Sequence, residues 1–225
     1  MRFTIERRDQ KETAEIEPNL LVIAGWTGRD AAALEAHIEE LEAMGVARPK
    51  AVPMFYRAGA SLLTQADRIS LVGRDGSGEV EAVLWRHEGA LYVGLGSDHT
   101  DRVLEAVGVT LSKQVCPKPV SATLWPWVDV SEHWEELILR STIDGGEVYQ
   151  EGSTALLRRP DELWRLYEER HGALGDGAAM FCGTLPAQGG IRFAETMDLS
   201  LEDRRLGRSL QHRYSVEALP IAEAG

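Results

Sequence analysis

The 225-residue sequence holds only two cysteines, Cys116 and Cys182. Two are too few for a disulfide framework, and a reducing compartment is expected. No run of about 18 apolar residues occurs, so no membrane-spanning helix is expected. No charged stretch leading into an apolar core stands near Met1 in the manner of a signal peptide. Basic residues are in deficit: 24 Lys and Arg against 36 Asp and Glu leave a formal net charge of −12. A chain of that sign repels phosphate backbones and anionic bilayers, so neither nucleic acid nor a membrane is expected as a partner. A local Arg, Lys or metal ion can still hold a small acid. Repeats, low-complexity tracts and Pro/Gly/Ser linkers are absent too, and a single domain over residues 1–225, in the cytoplasm, is expected. What the chain does have, 44% hydrophobic and 27% charged residues, suits a buried core beneath a charged surface.

Strand patterns run over Phe3–Arg7, Asn19–Ala24, Met54–Tyr56, Ile69–Val72, Val80–Trp85 and Leu91–Leu95. Leu34, Ile38, Leu41 and Met44 recur at helical spacing, with Asp30 as N-cap and Gly45 as the stop. A short helix is expected over Asp101–Val107, a strand over Val109–Gln114, and Ser131–Arg140 leads into another strand. Asp161–Arg170, opened by Pro160, reads as a second long helix. The last third reads as Gly-rich turns and short strands, Arg213–Leu219 among them. The sum is a β-rich α+β fold with two or three peripheral helices.

In Gly78-Glu79-Val80-Glu81-Ala82-Val83-Leu84-Trp85, alternation puts Glu79, Glu81, Val83 and Trp85 on one face. His87-Glu88-Gly89-Ala90 reads as a tight hairpin turn into Leu91–Leu95. With Glu88-Gly89 at its centre, paired residues sum to 177, which sets Asp98 opposite Glu79 with Glu81 two residues along. Carboxylates so placed repel, and burial makes the repulsion worse. A hard divalent cation with oxygen ligands resolves the conflict, so Glu79, Glu81 and Asp98 are candidate metal ligands. The alternative is an ordinary charged strand pair with Asp98 capping the helix after it.

His99, beside that hairpin, is a candidate acid/base. His37 lies near the apolar face of the first helix, where packing is expected. Arg29 and Asp30 stand where a pocket rim could be, although the N-cap accounts for Asp30. Arg102 and Lys113 are candidates to hold an acid, with Lys118 as the competitor of Lys113 and Glu105 expected in solvent. Cys116 and Cys182 lack a local base and are expected to be inert. Gly94-x-Gly96 lacks the third glycine and the βαβ setting of a dinucleotide site.

These motifs, in this order, resemble the fumarylacetoacetate hydrolase superfamily. Pro53-Met54-Phe55-Tyr56-Arg57 is similar to its Pro-x-Phe-x-Lys segment, and Gly78-Glu79-Val80-Glu81 to its Glu-x-Glu metal motif. Asp98-His99-Thr100-Asp101-Arg102 resembles the segment in which an Asp ligates metal and an Arg touches substrate, and Lys113 falls at a Gly-Lys position. Gly145-Gly146-Glu147 with Gln150 and Gly152, and Cys182-Gly183-Thr184-Leu185-Pro186 with Gly189-Gly190-Ile191, resemble two later segments. The resemblance covers roughly residues 20 to 219. It implies a mixed β-sandwich roll, a Mg²⁺, Mn²⁺ or Ca²⁺ ion, a homodimer, and chemistry on small 2-oxo or 1,3-dicarbonyl acids through an enolate. It further implies Lys113 and Arg102 as catalytic, and Arg57, Arg102, Gln150, Gly183 and Thr184 as substrate-binding; His99, a departure from the family segment, is expected as the catalytic acid/base from its place beside Asp98. One departure stands out: Ala31 occupies the position of the water-activating His of the hydrolases. Decarboxylation, hydration or isomerisation is therefore expected ahead of hydrolytic C–C cleavage. The alternative is a non-catalytic small-acid binding protein of the same fold.

Overall fold

The computed structural model describes residues 1–43 and 48–222. The strands of its two large sheets are, in chain order, Arg2–Glu6 (β1), Lys11–Glu15 (β2), Leu20–Gly25 (β3), Met54–Ala58 (β4), Arg68–Val72 (β5), Val80–His87 (β6), Ala90–Ser97 (β7), Thr123–Pro126 (β8), Ile138–Ile143 (β9), Glu147–Ser153 (β10), Ala178–Phe181 (β11), Thr196–Asp203 (β12) and Arg208–Leu219 (β13). The helices are Ala31–Ala43 (α1), Arg102–Glu105 (α2), Val109–Gln114 (α3), Trp127–Val130 (α4) and Pro160–His171 (α5). The first sheet runs β2-β1-β8-β7-β6-β11-β3-β4 and the second β10-β9-β12-β13-β5. This is the β-rich α+β architecture expected. Among the described residues no helix is long and apolar enough to cross a membrane.

The β6–β7 hairpin sits in the middle of the first sheet and turns as expected. Glu88 (φ 49°) and Gly89 (φ 76°) are both left-handed, as a two-residue hairpin turn requires. Val80 pairs with Ser97 and Glu81 with Gly96, so paired numbers sum to 177. The Asp98 N–H donates to the Glu79 carbonyl at 2.9 Å, which carries the register past the strand ends.

Alternation along β6 and β7 feeds two separate cores. Val80, Ala82, Leu84, Val93 and Leu95 pack with Leu139, Leu199, Leu201, Leu210 and Tyr214 of the second sheet. Val83 and Trp85 pack with Phe3, Leu21, Ile23, Leu124 and Phe181, all from other strands of the first sheet. One sheet therefore faces its partner with one side and rolls around the other side, and both sides of β6 are buried. This explains why Glu81 can be 2% exposed in mid-sheet.

Several elements differ from the sequence reading. Val109–Gln114 is a helix, not a strand: its β-branched start reads as β, but Gly108 in extended conformation opens a helical turn whose last residues include Lys113. The sequence pattern misses β2, because an edge strand with four of its five residues exposed shows little alternation. The last third holds strands of eight and twelve residues rather than short ones alone. Asp30 caps α1, its Oδ1 accepting from Ala32 N at 2.9 Å. The Gly45 stop and Met44 lie outside the described residues, as does the His37 side chain. Asp101, not Asp98, caps α2, accepting from Leu104 N at 2.9 Å, which leaves the Asp98 carboxylate for other work.

Candidate metal centre

Glu79 comes from the run into β6, Glu81 from its second residue, and Asp98 from the residue after β7. One ligand oxygen from each lies within 4.8 Å of the others. Asp98 is fully buried and Glu81 nearly so, while Glu79 keeps a partly exposed edge. Gly96 stands opposite Glu81, where a Cβ would meet the Pro119 carbonyl oxygen at 2.8 Å. Burial, reinforced by the charges of Asp98 and Glu79, pushes the Glu81 carboxyl well above the ordinary carboxylate range. Asp98 is held low by Lys113 and Lys118, whose charges outweigh its own burial. Hard oxygen donors at this spacing, with one carboxyl pushed up by burial and by its like-charged neighbours, fit a divalent cation. Among the described residues no other group of His, Cys, Asp and Glu brings ligand atoms together this way.

Three cations surround the carboxylates. The Arg102 guanidinium places Nη2 3.1 Å from Glu79 Oε1, donates from Nη1 to Glu105 Oε2 at 2.9 Å, and donates from Nε to Ser77 Oγ at 2.7 Å. Lys113 donates to Asp98 Oδ2 and lies 3.8 Å from Glu79 Oε2. Lys118, wholly buried, lies 3.2 Å from Asp98 Oδ1. Glu105, expected in solvent, thus steadies Arg102. Four carboxylates (Glu79, Glu81, Asp98, Glu105) against three cations leave a formal charge of 3 − 4 = −1.

The later motifs brace this cluster from behind. Gly183 N donates to Glu81 Oε2 at 2.7 Å. Gln150 accepts from Val80 N at 2.9 Å and donates to Thr184 Oγ1 at 2.7 Å and to the Leu185 carbonyl at 2.6 Å. Thr184 Oγ1 in turn donates to the Val80 carbonyl at 2.8 Å. Gln150 and Thr184 therefore clamp Val80, between Glu79 and Glu81, with their side-chain polar groups spent on protein partners, while Gly183 N holds the Glu81 carboxylate itself. Gly183 has a φ of 96°, and a Cβ there would meet Thr27 Oγ1 at 1.7 Å. Gly183→Ala is expected to cost about 3 kcal/mol of stability, from left-handed strain plus overpacking, measurable by urea unfolding.

His99 and Arg57 are not brought to the carboxylates. His99 follows Asp98, so its ring turns to the opposite side of the sheet, where Nδ1 shares a 3.1 Å hydrogen bond with Tyr214 Oη. Burial, with Lys118 and Arg102 nearby, drives its pKa to about 3, so the ring is neutral at physiological pH. Arg57 lies on the exposed side of β4 and donates to Tyr167 Oη at 3.1 Å. Its neighbour Tyr56 takes the inner side instead. The Tyr56 ring centroid is 6.0 Å from Lys113 Nζ, its hydroxyl bonds Trp26, and burial raises its pKa. Pairing of Tyr56 with Ile23, an inward residue, is the signal that finds it. Arg29 is engaged by Glu135 at 2.6 Å. Both cysteines are buried and free, with thiols pushed up by burial, Cys116 to about 11.

Residues 24–214 match the family described as "Protein of unknown function (DUF2848)". No curated protein matches the chain. Among solved structures, the fumarylpyruvate hydrolase from Pseudomonas aeruginosa in complex with Mn²⁺ and pyruvate superposes with a TM-score of 0.63 at 18% identity, covering 97% of this chain and 96% of that one. A 2-keto-3-deoxy-D-arabinonate dehydratase in its apo form gives 0.65 at 16% identity, covering 94% and 77%. A fumarylacetoacetate hydrolase family protein from yeast gives 0.63 at 15% identity, covering 89% and 94%. The fold is the one these proteins share, as the order of motifs led one to expect.

Proposed function

The chain belongs to the family described as protein of unknown function DUF2848, and from that premise we propose that it is a divalent-cation-dependent enzyme acting on a small 2-oxo or 1,3-dicarbonyl acid. The observation that carries this reading is the set of Glu79, Glu81 and Asp98 oxygens within 4.8 Å, with Arg102 and Lys113 beside them. Charge supports it. A divalent cation converts the formal −1 of the cluster to +1, which the carboxylate of a small mono-acid neutralises. The P. aeruginosa structure, which holds Mn²⁺ and pyruvate together, is a precedent for that pairing on this fold.

A bound divalent cation supplies Lewis-acid stabilisation of the oxyanion that forms when a C–C or C–H bond next to a carbonyl breaks. Glu79, Glu81 and Asp98 would hold it. Arg102, fixed by Ser77 and Glu105, presents a guanidinium at the rim of the cluster for the substrate carboxylate. Lys113 carries the ammonium that polarises the carbonyl. Tyr56, kept protonated by burial, is the proton donor, a part that neither the neutral His99 ring on the far side of the sheet nor Ala31 can take. Gln150, Gly183 and Thr184 act by holding the Glu79–Glu81 strand in place. Mg²⁺ is the ion we assign, with Mn²⁺ and Ca²⁺ able to replace it, and a homodimer in the cytoplasm is the assembly that the motif resemblance supports.

The test is a panel of acylpyruvates, oxaloacetate and sugar-derived oxo-acids, assayed with Mg²⁺ or Mn²⁺ and again after chelation. Turnover of one panel member that EDTA removes and added Mn²⁺ restores is the expected result. Saturable binding of these acids with no turnover would instead favour a binding protein of the same fold.

A further inference from the structure

The two lysines at Asp98 are held differently. Lys118 Nζ donates to the carbonyls of His99 at 2.5 Å, Lys113 at 2.6 Å and Cys116 at 3.1 Å, and stands 3.2 Å from Asp98 Oδ1. An ammonium has three N–H bonds, and those partners consume them. Lys118 is also wholly buried. Nothing about it can move without stranding three backbone carbonyls. Lys113 has far less: its bond to Asp98 Oδ2, a long approach to Thr100 Oγ1 at 3.4 Å, and Glu79 Oε2 at 3.8 Å. It sits near the end of the six-residue α3 and looks toward the Tyr56 ring.

Asp98 Oδ1 therefore faces an ammonium whose N–H bonds go to backbone carbonyls, while Oδ2 takes its bond from an ammonium with few other partners, which lies inside the carboxylate cluster. A divalent cation ligated there would stand within a few ångströms of the Lys113 charge, in a site too buried for water to screen it. We propose that Lys113 is an internal counter-cation that competes with the divalent ion for Asp98. On ion binding its ammonium leaves Asp98 Oδ2 and moves toward Tyr56, where it meets the acid substrate, while Lys118 stays. Loading the centre and arming the substrate pocket are then one event. The inference rests on the metal-binding reading of the three carboxylates.

The test is Mn²⁺ binding to chelator-treated protein, followed by electron paramagnetic resonance of free Mn²⁺, for the natural chain, Lys113→Met and Arg102→Met. Lys113→Met is expected to bind at least tenfold more tightly than the natural chain. Arg102→Met, which removes the same charge from Glu79 and Glu105 but leaves Asp98 engaged, is expected to gain much less. Equal gains would mean simple loss of charge, and unchanged or weaker binding by Lys113→Met would mean no competition; either overturns the inference while leaving the metal centre standing. A natural chain that takes up no Mn²⁺ overturns both. If Lys113→Met does not fold, acetylation of the natural chain, mapped by peptide mass spectrometry, decides. Saturating Mn²⁺ is expected to speed modification of Lys113 severalfold and leave Lys118 unmodified, and no acceleration at Lys113 overturns the inference.

Discussion

Glu81→Gln is expected to weaken Mn²⁺ binding by roughly a hundredfold or more, above the range seen for residues that merely support a metal ligand, while leaving the ion-free protein at least as stable as the natural chain. The two effects have one cause. Glu81 is 2% exposed and shares its pocket with Asp98 and Glu79, so its ionised form is penalised first by burial and then by like charge. Glutamine keeps the acceptor that Gly183 N needs and discards the charge. The sign with pH follows. A carboxyl whose folded pKa is raised contributes most below its ordinary value of 4.5 and loses that contribution as pH rises through the raised value. Ion-free natural protein should therefore lose stability relative to Glu81→Gln as pH climbs from the ordinary carboxylate range toward neutrality. Over the same interval its Mn²⁺ affinity should increase, because proton and ion compete for one carboxylate. Isothermal titration with Mn²⁺ and urea unfolding, each at several pH values, check both halves.

Lys118→Met is expected to cost the most stability, roughly 3–5 kcal/mol, the range for breaking a buried ion pair by removing one partner. The loss has two parts. Asp98, fully buried, keeps only Lys113 as counter-charge. The carbonyls of His99, Lys113 and Cys116 lose a buried donor at once. Methionine follows the lysine chain as far as Cε and omits only the ammonium, so cavity formation adds little. Urea unfolding compared with Lys50→Met, a substitution at an exposed lysine, isolates the effect. A change below about 1 kcal/mol, the scale of a surface ion pair, would show that the buried ammonium is not the fixed anchor described above.

The centre of this site was legible because hairpin arithmetic is rigid. Glu88-Gly89 fixes a two-residue turn, the turn fixes the register, and the register sets Asp98 against Glu79. The same alternation, followed one residue further, turns His99 to the far side of the sheet. The identity of a residue beside a ligand weighs less than its parity along the strand. Arg57 and Tyr56 are the same lesson on β4, where sequence gives two faces but only the rolling of the sheet tells which one looks inward. Val109-Thr110-Leu111 reads as β by propensity, yet tertiary packing makes it the helix that delivers Lys113. Lys118 is the hardest to foresee, since three carbonyls converge on it only once the loop from Lys113 to Cys116 has folded. Gln150, Gly183 and Thr184 were recognisable as motifs, but their bonds to Val80 and Glu81 appear only when β10 and the segment after β11 meet β6.

The most direct test of a divalent-cation centre at Glu79, Glu81 and Asp98 is anomalous diffraction at the manganese edge from crystals grown with Mn²⁺. A single strong peak per chain is expected, ligated by oxygens of all three carboxylates at about 2.0–2.6 Å, with Lys113 Nζ withdrawn from Asp98 Oδ2. No peak among the three carboxylates at saturating Mn²⁺, or ion binding only elsewhere on the chain, would contradict it.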